Sequence, residues 1–229
     1  MNILLIGPPG AGKGTQALYL EKTYDFQWLA TGDILRNEVA KESPLGKNVA
    51  AILDRGELVP DHTMIDILRQ RMATIGSQHQ KGFILDGFPR TKAQASALEA
   101  MLDAQHMTLD AIIVMDVEDE DIIQRISHRF HCTQCHYVYN ALFHKPRREG
   151  RCDRCGATTF GQRRDDKGDV VRHRLKSYHK EVSALLPFYE HGKSKKKVFH
   201  IDAMQAIRDV HAQLEHVLLR AEESKRCVK

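Results

Sequence analysis

Gly7-Pro8-Pro9-Gly10-Ala11-Gly12-Lys13-Gly14-Thr15 sets glycines around a single lysine and follows them with a hydroxyl. Glycines at this spacing let successive backbone N–H groups converge on phosphate oxygens that side chains would obstruct. The apolar run Met1 to Gly7 ahead of the loop reads as a short buried strand. The residues from Thr15 onward read as a helix whose positive end faces the same anion. In this arrangement Gly10, Ala11, Gly12, Lys13, Gly14 and Thr15 cradle a nucleoside triphosphate. Lys13 supplies a point charge for the terminal phosphates, and Thr15 a hydroxyl near the magnesium. The strict pattern G-x-x-x-x-G-K-[S/T] is missed by one place, because Gly14 stands where the hydroxyl residue is expected. A ligand-free Gly/Pro turn is the bland alternative, and the strand and helix on either side argue against it.

Four of the five cysteines form Cys132-x-x-Cys135 and Cys152-x-x-Cys155, with sixteen residues between the pairs. Two such knuckles close a tetrahedral zinc site, since each tight turn offers two thiolates to one ion. Disulfides are the poorer reading for a chain kept in a reducing compartment, and reduced cysteines without metal are the remaining one. A four-sulfur shell has no open position for water, so the metal is expected to hold structure. His128, His131 and His136 lie nearby but are not needed to complete the shell. Cys227, near the end of the sequence, reads as a bystander.

Alternating strands and helices must position these groups. Strands are expected at Phe26 to Ala30, Phe83 to Asp86, Ala111 to Val117 and Val198 to Asp202. Helices are expected from Ile34 to Lys41, Leu45 to Arg55, Asp61 to Ile75, Lys92 to Leu102, Asp119 to Phe130 and Gln205 to Glu222. A long helix starts past Asp169 and is expected to end or kink near Pro187. Strands that are continuous apolar runs between helices imply a parallel sheet covered on both faces, with the ligand at the carboxyl ends of the strands. The 229 residues are 42% hydrophobic and 28% charged, with a net charge of +4. That balance is ordinary for a soluble enzyme and demands neither nucleic acid nor membrane; Lys193 to Lys197 reads as a solvated loop. With no signal-peptide pattern and no bilayer-length apolar run, a cytoplasmic location is expected.

The motifs GPPGAGKGT, Ala30 to Arg36 (ATGDILR), Leu85 to Thr91 (LDGFPRT) and Gln162 to Asp166 (QRRDD) occur in the order found in adenylate kinases. The segment Cys132 to Cys155 is similar to the zinc-bearing lid of the long bacterial form. The resemblance implies a three-layer α/β P-loop nucleoside monophosphate kinase fold, with an AMP-binding helical segment at 31–60 and a small zinc-ribbon lid at 129–166. Residues 1–30, 61–128 and 167–229 would form the core. It implies phosphoryl transfer from magnesium ATP to AMP, giving two ADP, by a monomer. Asp86 resembles the carboxylate that orients magnesium through its waters. Arg36, Arg90, Arg125, Arg129, Arg163 and Arg174 resemble a phosphate clamp, for which the planar guanidinium suits paired oxygens. Arg125 and Arg129 are read as sharing one helix face, and Arg164 competes with Arg163 for its role. Arg129, Val138 and Tyr139 resemble residues at the donor base. Thr31, Arg36, Glu57, Leu58, Val59, Gly87, Phe88, Pro89, Arg90, Gln94, Arg163 and Arg174 match positions around AMP. His136, Asn140 and the Lys167-Gly168-Asp169 run depart from the family pattern in the lid. A kinase for UMP, CMP or GMP, or a zinc-ribbon ATPase that binds nucleic acid, remain as other readings.

Overall fold

The computed structural model describes residues 1–73, 81–192 and 197–226; Ile75, Cys227 and most of the Lys193 to Lys197 run lie outside them. Five parallel strands form the central sheet: β1 (Asn2–Ile6), β2 (Phe26–Ala30), β3 (Gly82–Asp86), β4 (Ala111–Asp116) and β8 (Val198–Asp202). Their spatial order is β2-β3-β1-β4-β8. β1 lies centrally, with Leu4 opposite Leu85 on one side and Ile112 on the other. Alternate residues feed two cores. Leu4, Ile6, Leu29, Phe83, Leu85, Ile112 and Val114 pack beneath α2 (Thr31–Ala40), α3 (Pro44–Asp54), α4 (Asp61–Met72) and α5 (Lys92–Ala104). Ile3, Leu5, Phe26, Ile84, Ile113 and Met115 pack against α1 (Lys13–Tyr24), α6 (Asp119–Ser127) and α8 (Ile207–Arg226). Both faces of the sheet are therefore apolar, which is why its strands carry continuous hydrophobic runs.

The helix α7 (Gly168–His191) runs through Pro187 rather than ending there. A proline inside a helix removes one backbone bond, at about 3 kcal/mol. Here Leu185 and Tyr189 are buried on either side of it, with Val182, Leu186 and Phe188 against the same core, so packing overrides the break. The other correction concerns α6, which ends at Ser127. Ser127 Oγ donates to the Gln124 carbonyl at 3.0 Å, and His128 Nδ1 lies 2.9 Å from that oxygen. Arg129 instead opens β5 (Arg129–Cys132), so Arg125 and Arg129 do not share a helix face. β5 pairs antiparallel with β6 (Val138–Asn140) and β7 (Phe160–Gly161), forming a small second sheet.

The α2–α3 corner depends on one glycine. A Cβ at Gly46 would stand 2.1 Å from the Glu38 carbonyl oxygen, a backbone atom that cannot swing aside. Gly46→Ala is expected to cost about 3 kcal/mol in denaturant unfolding, near the top of the usual overpacking range.

Candidate active site

The loop between β1 and α1 turns on Gly10 (φ 88°) and Gly12 (φ 95°), both left-handed. A Cβ at Gly10 would meet Ile126 Cγ1 at 2.7 Å, so α6 closes directly over the loop. Lys13 Nζ donates to the carbonyls of Gly7 (2.7 Å) and Pro8 (2.9 Å), which folds the ammonium into the middle of the loop. Burial pulls its pKa from 10.5 down to about 8; Asp86 opposes the drop, and Arg90, Arg174 and Arg129 add to it. Asp86 ends β3, where burial holds its carboxyl above the usual range against the pull of Lys13. The sole tryptophan, Trp28, fills the adjoining space, its Cζ2 3.3 Å from where a Cβ on Gly14 would sit.

Arginines converge here already paired. Arg129 holds Asp166 through two bonds: Nε to Oδ2 at 2.9 Å, and Nη2 to Oδ1. Burial weighs against charge on Arg129, but Asp166 more than offsets it and raises the pKa. Arg174 Nη1 meets Asp165 Oδ2 at 2.7 Å. Asp33 Oδ1 takes Arg36 Nη2 at 2.5 Å and Arg163 Nη2 at 3.3 Å. Burial, with Arg36 and Arg129 nearby, brings Arg163 down to about 10. Arg174 falls to about 10 as well, chiefly through burial. Arg90 Nε donates to the Gly87 carbonyl at 3.0 Å, and Arg125 Nη2 to that of Ala203 at 2.9 Å. Seven cations against Asp33, Asp86, Asp165 and Asp166 leave the cluster with a positive surplus. Of the adjacent pair, Arg163 is 15% exposed and faces Asp33, whereas Arg164 is 83% exposed and reaches outward to Asp54.

Apart from Asp166, these groups line one cleft of about 1680 Å³ at the carboxyl ends of the central strands. A site for one small ligand is about 300–1,000 Å³, so this cleft has room for two nucleotides. Its walls include Gly10 through Thr15, Asp86, Leu58, Gly87, Pro89, Val138 and Tyr139, with the lysine and the six arginines. Thr31, Val59, Phe88 and Gln94 lie buried behind the wall. Thr31 Oγ1 donates to the Asp86 carbonyl at 3.1 Å, and both ends of the Gln94 amide have protein partners. Glu57 is held at the surface by Arg55 at 2.8 Å. Sequence alone does not mark the carboxylates of Asp33, Asp61, Asp165 and Asp166 as partners. The signal it does carry is that Asp33 and Asp165-Asp166 stand inside the motifs ATGDILR and QRRDD.

In the second sheet, Cys132, Cys135, Cys152 and Cys155 gather with all four Sγ atoms within 4.8 Å of one another. Two opposite edges, Cys132–Cys155 and Cys135–Cys152, measure 3.6 Å each. Four sulfurs at about 2.3 Å from a central zinc stand nearly that far apart, so the donor set fits the ion. The knuckles match: the N–H of His136 bonds the Cys132 carbonyl at 2.9 Å, and that of Gly156 bonds the Cys152 carbonyl at 2.9 Å. Gly156 has φ 77° and His136 φ 57°, so the histidine departure puts a side chain on a left-handed position that suits glycine. Tyr139 Oη donates to Cys152 Sγ at 3.4 Å and accepts from Asp153 N at 2.7 Å, tying its hydroxyl to the cysteine cluster. Asn140, the second departure, ties the second sheet to α6: Nδ2 donates to the Arg125 carbonyl at 2.9 Å.

A parallel sheet with a phosphate loop after β1, a carboxylate at the end of β3 and arginines around the cleft define a P-loop nucleotide-binding protein of the nucleoside monophosphate kinase fold. A family model described as adenylate kinase matches residues 5–194. The adenylate kinase of Archaeoglobus fulgidus is 40% identical over 218 residues, spanning 95% of this chain and 98% of the relative. That of Paramagnetospirillum magneticum is 44% identical, with 95% and 98% covered. That of Allorhizobium ampelinum is 43% identical, with 95% and 99% covered. The chain belongs to the adenylate kinase family.

Proposed function

We propose that this enzyme transfers the terminal phosphoryl group of magnesium ATP to AMP reversibly, giving two ADP. The observation that carries this reading is the single two-nucleotide cleft where Lys13, Asp86 and six arginines meet. A transferring phosphoryl group spreads negative charge over its oxygens, so positioned cations in a dry site supply most of the catalysis. Lys13 and the amides of Gly10 to Thr15 take the donor polyphosphate, with Arg129, Val138 and Tyr139 toward the donor base. Arg36, Arg90, Leu58, Gly87 and Pro89 face AMP. Thr31, Val59, Phe88 and Gln94 support that wall, and Glu57 stands at its edge. Arg125, Arg163 and Arg174 clamp the group in transit. Asp86, whose Oδ2 lies 3.9 Å from where a Cβ on Gly14 would sit, suits magnesium, which takes few protein ligands and, when bound, offsets charge on the polyphosphate.

In this reading the 31–60 segment and the 129–166 lid close over the 1–30, 61–128 and 167–229 core and exclude water. The pairs Arg163–Asp33 and Arg164–Asp54 already link lid to segment. The four cysteines hold structural zinc, because the lid core of Cys132, Tyr139 and Cys152 is too small to fold alone. We take the enzyme to act as a monomer, since closure needs free faces, and in the cytoplasm, where the thiols stay reduced. Among the described residues no helix is long and apolar enough to cross a membrane.

Magnesium and ADP alone test the reaction: ATP and AMP are expected to appear in equal amounts. Release of inorganic phosphate instead would mark a hydrolase. The pKa of Lys13 also sets a pH dependence. The charged form prevails below about 8 and is lost as pH rises through that value. kcat/KM for ATP, which reports the free enzyme, is therefore expected to decline above about pH 8. The kcat profile is expected to hold to higher pH, because bound phosphates restore the proton.

A further inference from the structure

A hydrogen-bonded relay runs behind the cleft wall from the start of α4 to Arg90. Asp61 Oδ1 accepts from Gln94 Nε2 at 2.7 Å, and Asp61 Oδ2 accepts from Thr91 Oγ1 at 2.9 Å. Gln94 Oε1 accepts from the backbone N–H of Arg90 at 2.8 Å. Thr91 Oγ1 accepts in turn from Gln94 N at 3.2 Å and so caps α5. An ionised carboxylate only accepts and a backbone N–H only donates, so the direction of the Gln94 amide is forced: nitrogen toward Asp61, oxygen toward Arg90. Gln94 is 2% exposed, so a reversed amide would set its nitrogen against an N–H and its oxygen against a carboxylate with little water to relieve either end.

We propose that Asp61 is a positioning residue for Arg90, acting through the Gln94 amide. Arg90 is then fixed twice, at its main chain by Gln94 and at its guanidinium by the Gly87 carbonyl. Asp61 also stands where the 31–60 segment rejoins the core. The carboxylate that orients the amide thus sits at the joint of the segment that must close on the acceptor. An arginine acting on phosphate by its planar fork loses effect when its base shifts, because both oxygens must be met together. This inference rests on the phosphotransfer reading for what Arg90 touches.

The test reverses the polarity of the relay. Gln94→Glu sets two carboxylates face to face. Adding Asp61→Asn returns a donor at position 61 opposite an acceptor at 94, and position 94 still accepts from Arg90 N. Gln94→Glu alone is expected to raise the KM for AMP about tenfold or more, with that for ATP changed less than about twofold. The double variant is expected to return the KM for AMP to within about threefold of the parent, and AMP affinity by calorimetry to follow. A rescue that fails, or a KM for ATP that rises as far as that for AMP, overturns the proposal. If Gln94→Glu does not fold, the comparison of the double variant with the parent still decides: a relay tolerates reversal, and a simple loss of contacts does not. Failure of the functional reading is seen separately, as a parent enzyme that does not turn over AMP.

Discussion

Lys13→Met is expected to lower kcat for ADP formation about 10³-fold while leaving the melting temperature unchanged or higher. The two side chains are similar in length and volume, so the substitution removes the charge and its two hydrogen bonds to the loop carbonyls with little change of shape. Removing one positioned donor from a transition-state oxyanion commonly costs about 10²–10³ in kcat. The upper end applies here because Lys13 sits at the centre of the loop, held by the Gly7 and Pro8 carbonyls. Its charge is costly to the folded protein, as the pKa drawn down to about 8 by burial indicates. Stability therefore does not depend on keeping it. Steady-state kinetics and a melting curve on the same preparation check both halves. A variant that keeps most of its turnover, or that loses activity only by unfolding, would remove Lys13 from the machinery.

Cys132→Ser is expected to act in the opposite sense, lowering the melting temperature by about 10 °C while kcat at 25 °C stays within about threefold of the parent. Loss of a structural metal ligand costs several kcal/mol, and for a chain of this length each kcal/mol is about 2–4 °C. Little else holds the small second sheet, where the side chains packed around Cys132, Cys152 and Tyr139 are only partly buried. Zinc content measured on the same samples should fall with the melting temperature. A closed thiolate set has no site for substrate, so turnover lost at unchanged stability would contradict a structural role.

The phosphate loop, the four cysteines and the central strands were legible in the sequence because each is a local signal: glycine spacing, knuckle spacing, an apolar run. The loop's geometry follows from residues within nine positions of one another. What stayed hidden depends on distant partners. Nothing near Asp33 announces that Arg163 will reach it, and nothing near Arg129 that Asp166 will take its guanidinium. Arg163 and Arg164 look alike in sequence, and only the turn at 164–166 sends one inward and the other out. The end of α6 was misjudged because Ser127 and His128 stop it by bonding back to Gln124, whereas the apolar periodicity runs on through Phe130. At Pro187 the ending, one of the two outcomes expected there, does not occur, because burial of Leu185 and Tyr189 carries the helix through. For Gln94, the resemblance implied a place around AMP and did not disclose that Asp61 and Arg90 hold both ends of the amide.

Presenting magnesium ATP with AMP, UMP, CMP and GMP separately, and following ADP formation, tests the central claim most directly. Rapid turnover with AMP and little with the other three is the predicted result. Preference for another monophosphate, or no transfer to any of them, would contradict it.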